Sequence, residues 1–263
     1  MIEVREFQGK KLVEYLRPGL RVRLLFAHGL GDTVLFLPIY NALKALYPDV
    51  YWALKTYNGQ EELFDDGDVT GPVDYEFTID FPCGEHIPGM TKPRMCCEQE
   101  LGIDYDAVVP DTYPPILACR SPLVGVHFNS TCFPAQSIPI QTAKSIWEGV
   151  LAAGCVPIEV HFEHKYHNKK NYKYPFVDAT VRRCQPRISA LTGLLQRCGA
   201  FIGCNSGPYW LASAIGIPTL FVHTVYPLHS YIRGSADIIK KEDVTAEKIR
   251  DWVIKAYSDG RTI

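Results

Sequence analysis

The clearest pattern in the first half of the chain is an apolar stretch that ends in glycines and is followed by a helical repeat. Residues 21–26 alternate basic and apolar side chains and then become fully apolar, which predicts a strand entering a core. Gly29 and Gly31 break this pattern, and apolar residues then recur at near-helical spacing over 33–46. A further apolar run at 50–54 predicts the next strand. Strand, helix and strand in this order indicate a βαβ unit and a parallel sheet.

The second half repeats this alternation more regularly. Short apolar runs predict strands, and amphipathic repeats between them predict helices, with Ser189 and Thr245 as N-cap residues. The predicted strands are 123–128, 156–162, 200–202 and 219–222, and the predicted helices are 142–152, 190–198, 209–215 and a last one after Thr245. Alternating strands and helices in both halves predict an α/β fold with two Rossmann-like, doubly wound domains and a cleft between them.

The pattern is weaker between the two halves. The elements predicted there are a strand at 75–79, a loop at 81–93, a short helix at 94–101 and a short strand at 107–109. Residues 1–20 are expected to be an extension that caps the first domain. A linker is marked by Pro110, Pro114 and Pro115. We therefore expect an N-terminal domain over 1–115 and a C-terminal domain over 116–263.

Composition and charge are those of an ordinary globular chain. Of the 263 residues 47% are hydrophobic and 21% are charged, and the formal net charge is −2. This charge argues against duplex nucleic acid as an obligatory partner, since proteins that bind it usually carry a basic surplus. One local basic cluster is the exception, and it consists of Lys165, Lys169, Lys170 and Lys173.

Neither a membrane anchor nor a metal site is indicated by the sequence. No run of 18 apolar residues is present and the first residues are too polar for a secretion signal, so we expect a cytoplasmic protein without a membrane span. The nine cysteines show no Cys-x-x-Cys spacing, which favours free thiols over a disulfide scaffold or a zinc site. His161, His164 and His167 fit no common zinc pattern and predict a surface loop.

The residues that say most about function form a tight turn between a short strand and a small-residue helix, Gly203-Cys204-Asn205-Ser206-Gly207-Pro208. Such a turn directs backbone N–H groups and the positive end of a helix dipole at one point, which suits a phosphate or pyrophosphate. The alternative is a plain strand-to-helix turn without a ligand. A second turn of the same kind precedes the first helix, where His28 either faces the cleft or belongs to the turn. Asp32 lies in this turn at the position expected of an N-cap.

Two stretches of the chain resemble the motifs of glycosyltransferase family 9, which includes the bacterial heptosyltransferases of lipopolysaccharide synthesis. The N-terminal stretch consists of Gly31-Asp32, Pro38, Ala42-Leu43 and Pro48. The C-terminal motif of the family reads roughly Gly-x-Asp-Ser-Gly-x-x-His-Leu-Ala-x-Ala-x-Gly-x-Pro. The residues that match it in register are Gly203, Ser206, Gly207, Leu211, Ala212, Ala214, Gly216 and Pro218.

This resemblance implies a GT-B fold in which the C-terminal domain holds most of a nucleotide-sugar donor. It implies sugar transfer with inversion, without a catalytic metal or another cofactor, from a nucleotide-diphosphate sugar to an unidentified glycan or other hydroxyl acceptor. The proposed base of the family corresponds to Asp32. The residues expected around the donor are Gly31, Ser130, Thr131, Gln136, Glu163, Asn205, Ser206, Gly207, Pro208 and Trp210. Acceptor specificity is expected to lie in residues 56–120.

The chain departs from the family pattern at three positions. Asn205 stands where the motif has Asp, Trp210 stands where it has His, and Gln136 stands where a donor-binding Lys is usual. These departures favour, as an alternative, a relative that binds a nucleotide or glycan without catalysis. A second alternative is a glycosyltransferase that acts on modified DNA bases, supported by the lysine cluster. Trp210 itself either stacks on a base or sugar ring or packs in the core.

Overall fold

The computed structural model describes residues 3–5, 10–56, 60–64, 71–81, 90–108, 121–130, 134–162, 174–177, 180, 182–185, 187–225 and 237–258. The described residues divide into two compact units, residues 3–108 and residues 121–258. The domain boundary predicted at 115/116 lies outside the described residues. The cleft predicted between the domains stays a prediction.

The first unit contains a parallel sheet, as the βαβ pattern predicts. Its strands are β1 (Glu3–Arg5), β2 (Arg21–Phe26), β3 (Tyr51–Thr56) and β4 (Tyr75–Thr78), in the order β1-β4-β2-β3. Every described strand pair in this sheet is parallel. The expectation of a mere extension at residues 1–20 is wrong, because β1 pairs with β4 as an edge strand.

The first helix, α1 (Leu30–Leu46), begins three residues earlier than predicted. Gly29 is its N-cap, and the amide and the hydroxyl of Thr33 both donate to the Gly29 carbonyl oxygen (3.0 and 3.1 Å). The prediction that Asp32 caps this helix is therefore wrong. Asp32 lies instead in the first turn, where the helix dipole stabilises a carboxylate. The helix continues through Pro38 and buries one side against the sheet.

The segment that ends the described part of the first unit is helical. Its elements are α2 (Lys92–Met95), a π-helical turn (Cys96–Leu101) and α3 (Tyr105–Val108). The helix predicted at 94–101 is thus confirmed with an earlier start. The strand predicted at 107–109 is wrong at residues 107–108, because the Asp104 side chain accepts a hydrogen bond from the Asp106 amide (3.0 Å) and starts a helical turn. Residue 109 lies outside the described residues.

The second unit contains a larger parallel sheet. Its strands are β5 (Leu123–His127), β6 (Val156–Phe162), β7 (Arg182–Gln185), β8 (Ala200–Gly203), β9 (Thr219–His223) and β10 (Asp237–Lys240), in the order β10-β9-β8-β5-β6-β7. The four strands predicted from apolar runs are confirmed. The outermost strands, β7 and β10, are not predicted, since edge strands carry less of the apolar core.

The helices of the second unit are α4 (Ile140–Ala152), α5 (Ile188–Leu195), α6 (Gly207–Ala214) and α7 (Ala246–Ser258). Short 3-10 turns are found at Leu12–Glu14, Gln60–Leu63, Pro134–Gln136 and Lys241–Asp243. The cap predicted at Thr245 is confirmed, because its hydroxyl accepts from the Lys248 amide (3.2 Å). The cap predicted at Ser189 is wrong, because Arg187 is the N-cap of α5 and Ser189 lies inside the helix.

Candidate functional site

The sheet of the second unit reverses its direction of winding at one point. From β5 the chain builds outward through β6 to β7, and it then returns to the other side of β5 as β8. His127 at the end of β5 pairs with Gly203 at the end of β8, and the Cys204 amide donates to the His127 carbonyl oxygen (3.2 Å). Ligands of open α/β sheets bind at the carboxyl ends of the strands beside such a reversal. The turns that follow these two strands therefore form the candidate site of this unit.

The turn after β8 presents the N-terminus of α6. Ser206 is the N-cap in an extended conformation, but its hydroxyl donates to the Cys204 carbonyl oxygen (3.3 Å) and does not cap the helix. Helix geometry leaves the first amides of a helix without intrahelical acceptors. Pro208 has no amide hydrogen, so Gly207 and Tyr209 supply the N–H groups of this first turn. The arrangement suits an anion, as the sequence predicts.

Asn205 and Trp210, two of the departures from the family motif, bind each other. The indole N–H of Trp210 donates to Asn205 Oδ1 (2.8 Å). Trp210 is 5% exposed, and its ring meets the Tyr209 ring edge-on with centroids 5.4 Å apart. The hydrogen bond between these two buried or partly buried side chains thus fixes the turn between β8 and α6. A stacking role of Trp210 toward a ligand stays a prediction.

The turn after β5 is held by side chains from later in the chain. The Ser130 amide donates to the Ser137 hydroxyl oxygen (3.0 Å). The Tyr174 hydroxyl lies within hydrogen-bond distance of the carbonyl oxygens of Phe128 (3.0 Å) and Ile138 (2.7 Å). These contacts fix the backbone of the turn that carries Ser130, and the donor-binding role of its hydroxyl stays a prediction.

The remaining predicted donor residues fall into two groups. Gln136 is buried at the end of a 3-10 turn, and its carbonyl oxygen accepts from the Thr224 hydroxyl (3.1 Å). Thr131 and Glu163 lie outside the described residues, as do His164, His167 and the lysine cluster. The roles predicted for these residues stay predictions.

The sheet of the first unit has a reversal of its own, between β2 and β4. The turn after β2 carries His28, Gly31 and Asp32. His28 does not project freely: its Nε2 accepts a hydrogen bond from the Phe81 amide (3.0 Å) and links the ends of the two strands. Asp32 in the first turn of α1 is partly exposed at this edge of the sheet. A carboxylate at this place can act as the predicted base.

A cation beside Asp32 comes from the start of α2, so the loop predicted at 81–93 is wrong at residues 92–93. Lys92 Nζ lies 3.4 Å from Asp32 Oδ1. The sequence does not predict a functional role for this lysine, although Thr91 and Pro93 around it are typical of the start of a helix. The structure thus places a cation beside the predicted base.

A carboxyl group that titrates near neutrality also lies close to this edge. Glu100 Oε2 accepts from the Asp80 amide (3.0 Å), and burial raises the pKa of Glu100 from 4.5 to about 7. Between these values the folded chain binds more protons than the unfolded chain. The free energy of unfolding therefore falls as the pH rises from about 4.5 to about 7.

We expect Glu100→Gln to remove this component of the pH dependence, because glutamine does not ionise and keeps an acceptor for the Asp80 amide. Urea unfolding at several pH values measures it. Glu148→Gln, a change at an exposed side chain in the second unit, is the control and keeps the wild-type slope. An identical slope in Glu100→Gln and wild type contradicts the assignment.

Comparisons with known proteins show which solved structures share this fold. No protein-family model matches the sequence, and no curated protein matches it either. Among solved structures, TibC from enterotoxigenic E. coli H10407, described as an iron-containing dodecameric glycosyltransferase, is 16% identical with a TM-score of 0.59 over 85% of this chain. A glycosyltransferase family 9 protein of Veillonella parvula DSM 2008 is 10% identical with a TM-score of 0.64, over 93% of this chain and 99% of that one. The E. coli heptosyltransferase WaaC, solved with ADP, is 10% identical with a TM-score of 0.57, over 90% of this chain and 100% of that one.

The chain has the GT-B fold of glycosyltransferase family 9. The fold implied by the motif residues is thereby confirmed. The chain spans 65% of the length of TibC. Within this GT-B fold no described helix is long and apolar enough to cross a membrane.

A buried polar cluster on the neighbouring strands β5 and β6 is not indicated by any motif in the sequence. Glu159 on β6 is fully buried, and His161 Nε2 lies 3.2 Å from its Oε1. The surface loop predicted for His161 is wrong, because this residue is buried within the strand. The His127 ring is 5.3 Å from the His161 ring, and burial lowers the pKa of His127 to about 4. The signal that could have revealed the cluster is a carboxylate and a histidine at alternate positions of an otherwise apolar strand.

The described residues include neither a metal-binding cluster nor a reactive thiol in the glycine turn. No group of three or more His, Cys, Asp or Glu residues among them could hold a metal ion. The cysteines with described side chains are free thiols, as predicted. Burial raises the pKa of Cys204, which lies in the glycine turn, to about 12. This thiol is therefore not ionised near neutral pH and is a poor nucleophile.

Proposed function

We propose that this protein is a glycosyltransferase that moves a sugar from a nucleotide-diphosphate donor to a hydroxyl acceptor, with inversion and without a catalytic metal. The observation that carries the proposal is the uncapped N-terminus of α6 beside the end of β5, in a chain with the fold of family 9. WaaC was solved with ADP, and TibC with ADP-D-β-D-heptose. An ADP-sugar is therefore the first donor to test.

The donor half of the reaction belongs to the second unit. The amides of Gly207 and Tyr209 bind the diphosphate, and the α6 dipole stabilises the charge that develops as the diphosphate leaves. Ser130 and Thr131 add hydroxyl donors. Because Gln136 replaces the usual lysine, the helix N-terminus contributes more of the charge stabilisation than it does where a lysine is present.

The acceptor half requires one base. Asp32 takes the proton from the acceptor hydroxyl while the acceptor oxygen forms a bond to the anomeric carbon. The bond from that carbon to the diphosphate oxygen breaks, and its electron pair leaves with the nucleoside diphosphate. Attack on the face opposite the leaving group inverts the anomeric centre.

A second candidate is a binding protein without catalysis. The observation that favours it is the Asn205–Trp210 hydrogen bond, which occupies two positions that are Asp and His in the family motif. Transfer or hydrolysis of any nucleotide sugar excludes this candidate. Transfer to modified DNA bases depends on lysines outside the described residues, and a cytoplasmic location likewise stays a prediction.

The proposal is tested by thermal shift with ADP-, UDP-, GDP-, CMP- and TDP-sugars. One donor class at 100 times its dissociation constant is expected to stabilise the protein by about 2.7 kcal/mol. Ser206→Asp should abolish this shift, because aspartate is a good N-cap that occupies the α6 amides and repels a diphosphate. Thr245→Asp introduces the same charge at the N-cap of α7 and should keep the shift. Absence of a shift with every donor refutes the proposal, and an equal shift in Ser206→Asp refutes the site.

A further inference from the structure

The position of Lys92 is unusual for a lysine. Its side chain is 6% exposed, whereas that of its partner Asp32 is 22% exposed. Burying an ammonium group is costly unless a partner compensates for it. Asp32 Oδ1 at 3.4 Å supplies the compensating charge, and the face of the Phe81 ring lies 5.9 Å from Lys92 Nζ. In this pair the carboxylate is therefore the member nearer to solvent, and the lysine lies behind it.

Several independent contacts hold the segment that carries Lys92. The Thr91 hydroxyl caps α2 by accepting from the Arg94 amide (3.4 Å). The Arg94 guanidinium donates to Glu98 (2.9 Å) and Asp106 (2.5 Å). Downstream, a Cβ at Gly102 would lie 2.7 Å from Val13 Cγ2, so the end of the π-helical turn packs tightly on the N-terminal 3-10 turn. The packing of α2 and the π-helical turn therefore holds the Lys92 ammonium group next to Asp32.

We propose that Lys92 is a positioning residue that holds Asp32 Oδ1 and so presents Oδ2 to the acceptor hydroxyl. This inference rests on the proposed role of Asp32 as base. In the transfer step the acceptor proton moves to Asp32 Oδ2, the acceptor oxygen bonds to the anomeric carbon, and the nucleoside diphosphate leaves with the electron pair. Lys92 transfers no proton in this step. Lys92 restricts the Asp32 carboxylate to one orientation, which lowers the entropic cost of reaching the reactive geometry.

The test is a double-mutant cycle on purified full-length protein with the donor identified by thermal shift. Lys92→Met keeps the length of the side chain and removes its charge, and it is expected to lower kcat about tenfold while the donor-induced thermal shift is unchanged. Lys92→Arg restores a cation and is expected to recover most of kcat. Lys44→Met removes a lysine from the same unit, where Nζ lies over the Tyr40 ring, and is expected to keep wild-type kcat.

The double-mutant cycle distinguishes a Lys92 that positions Asp32 from a Lys92 that only stabilises the fold. If Lys92 acts through Asp32, Asp32→Asn and Asp32→Asn/Lys92→Met have the same residual kcat. A further tenfold loss in the double variant overturns the inference, and so does an unchanged kcat in Lys92→Met. Should Lys92→Met fail to fold, Lys92→Gln takes its place, and a wild-type kcat there overturns the inference as well. Full kcat in Asp32→Asn refutes the base assignment itself, whatever the Lys92 variants do.

Discussion

Asp32→Asn is expected to lower turnover by at least a factor of about 100 while donor binding stays intact, because general base catalysis contributes about 10²–10⁴-fold. Asparagine has nearly the same shape and keeps an oxygen that can accept from Lys92 Nζ. The fold and the donor-induced thermal shift should therefore persist. Single-turnover transfer with saturating donor and acceptor measures the loss directly, since it separates the chemical step from product release.

The matched control is Asp49→Asn, which removes an exposed carboxylate beyond the other end of α1. We expect wild-type turnover from it, because a change of one unit in net charge alone does not affect the chemical step. Equal turnover in Asp32→Asn and Asp49→Asn removes Asp32 from the mechanism. Equal loss in both indicates that the acidic surface of the unit, rather than one carboxylate, supports the reaction.

The two turns of the candidate site could be predicted from the sequence because each is local. Glycines between an apolar run and a helical repeat indicate a strand-to-helix turn, and parallel strands bring such turns to one sheet edge. Lys92 could not be predicted in this way. It is 60 residues from Asp32 along the chain, and only the packed fold brings the two side chains together. Glu159 and His161 carry a signal in their alternation on β6, but the approach of His127 does not, because alternation along one strand does not show what faces it from the next.

The fold was predictable where periodicity was strong. The central strands and the amphipathic helices of the second half lie where their patterns indicate, whereas the run at 107–109 reads equally well as strand or helix. The Asp104 cap decides for a helix in that case. Ser189 and Thr245 are both predicted as N-caps and only Thr245 is one, so the residue type alone is a weak indicator of a helix start. Thr245 caps because its hydroxyl meets the Lys248 amide, whereas Ser189 follows an apolar residue that already belongs to the helix.

Gly149→Ala is expected to lower the free energy of unfolding by about 1–3 kcal/mol, because an added methyl group overpacks the contact between α4 and α7. A Cβ at this position would lie 2.5 Å from the Ala246 carbonyl oxygen and 2.7 Å from Ile249 Cβ. Neither atom is the end of a flexible side chain, so α7 has to move away from α4. Thermal unfolding measures the effect as a fall of about 2–4 °C in Tm for each kcal/mol.

Gly193→Ala provides the opposite control within the same unit. Gly193 lies in α5 and is exposed, and no atom outside its immediate chain surroundings lies within 4 Å of an added Cβ. Alanine in a helix interior is favoured over glycine by about 0.5–1 kcal/mol, so this variant should be more stable than wild type. A Tm change of the same sign in both variants contradicts the prediction. Opposite signs show that close approach of α7, rather than helix propensity, requires glycine at 149.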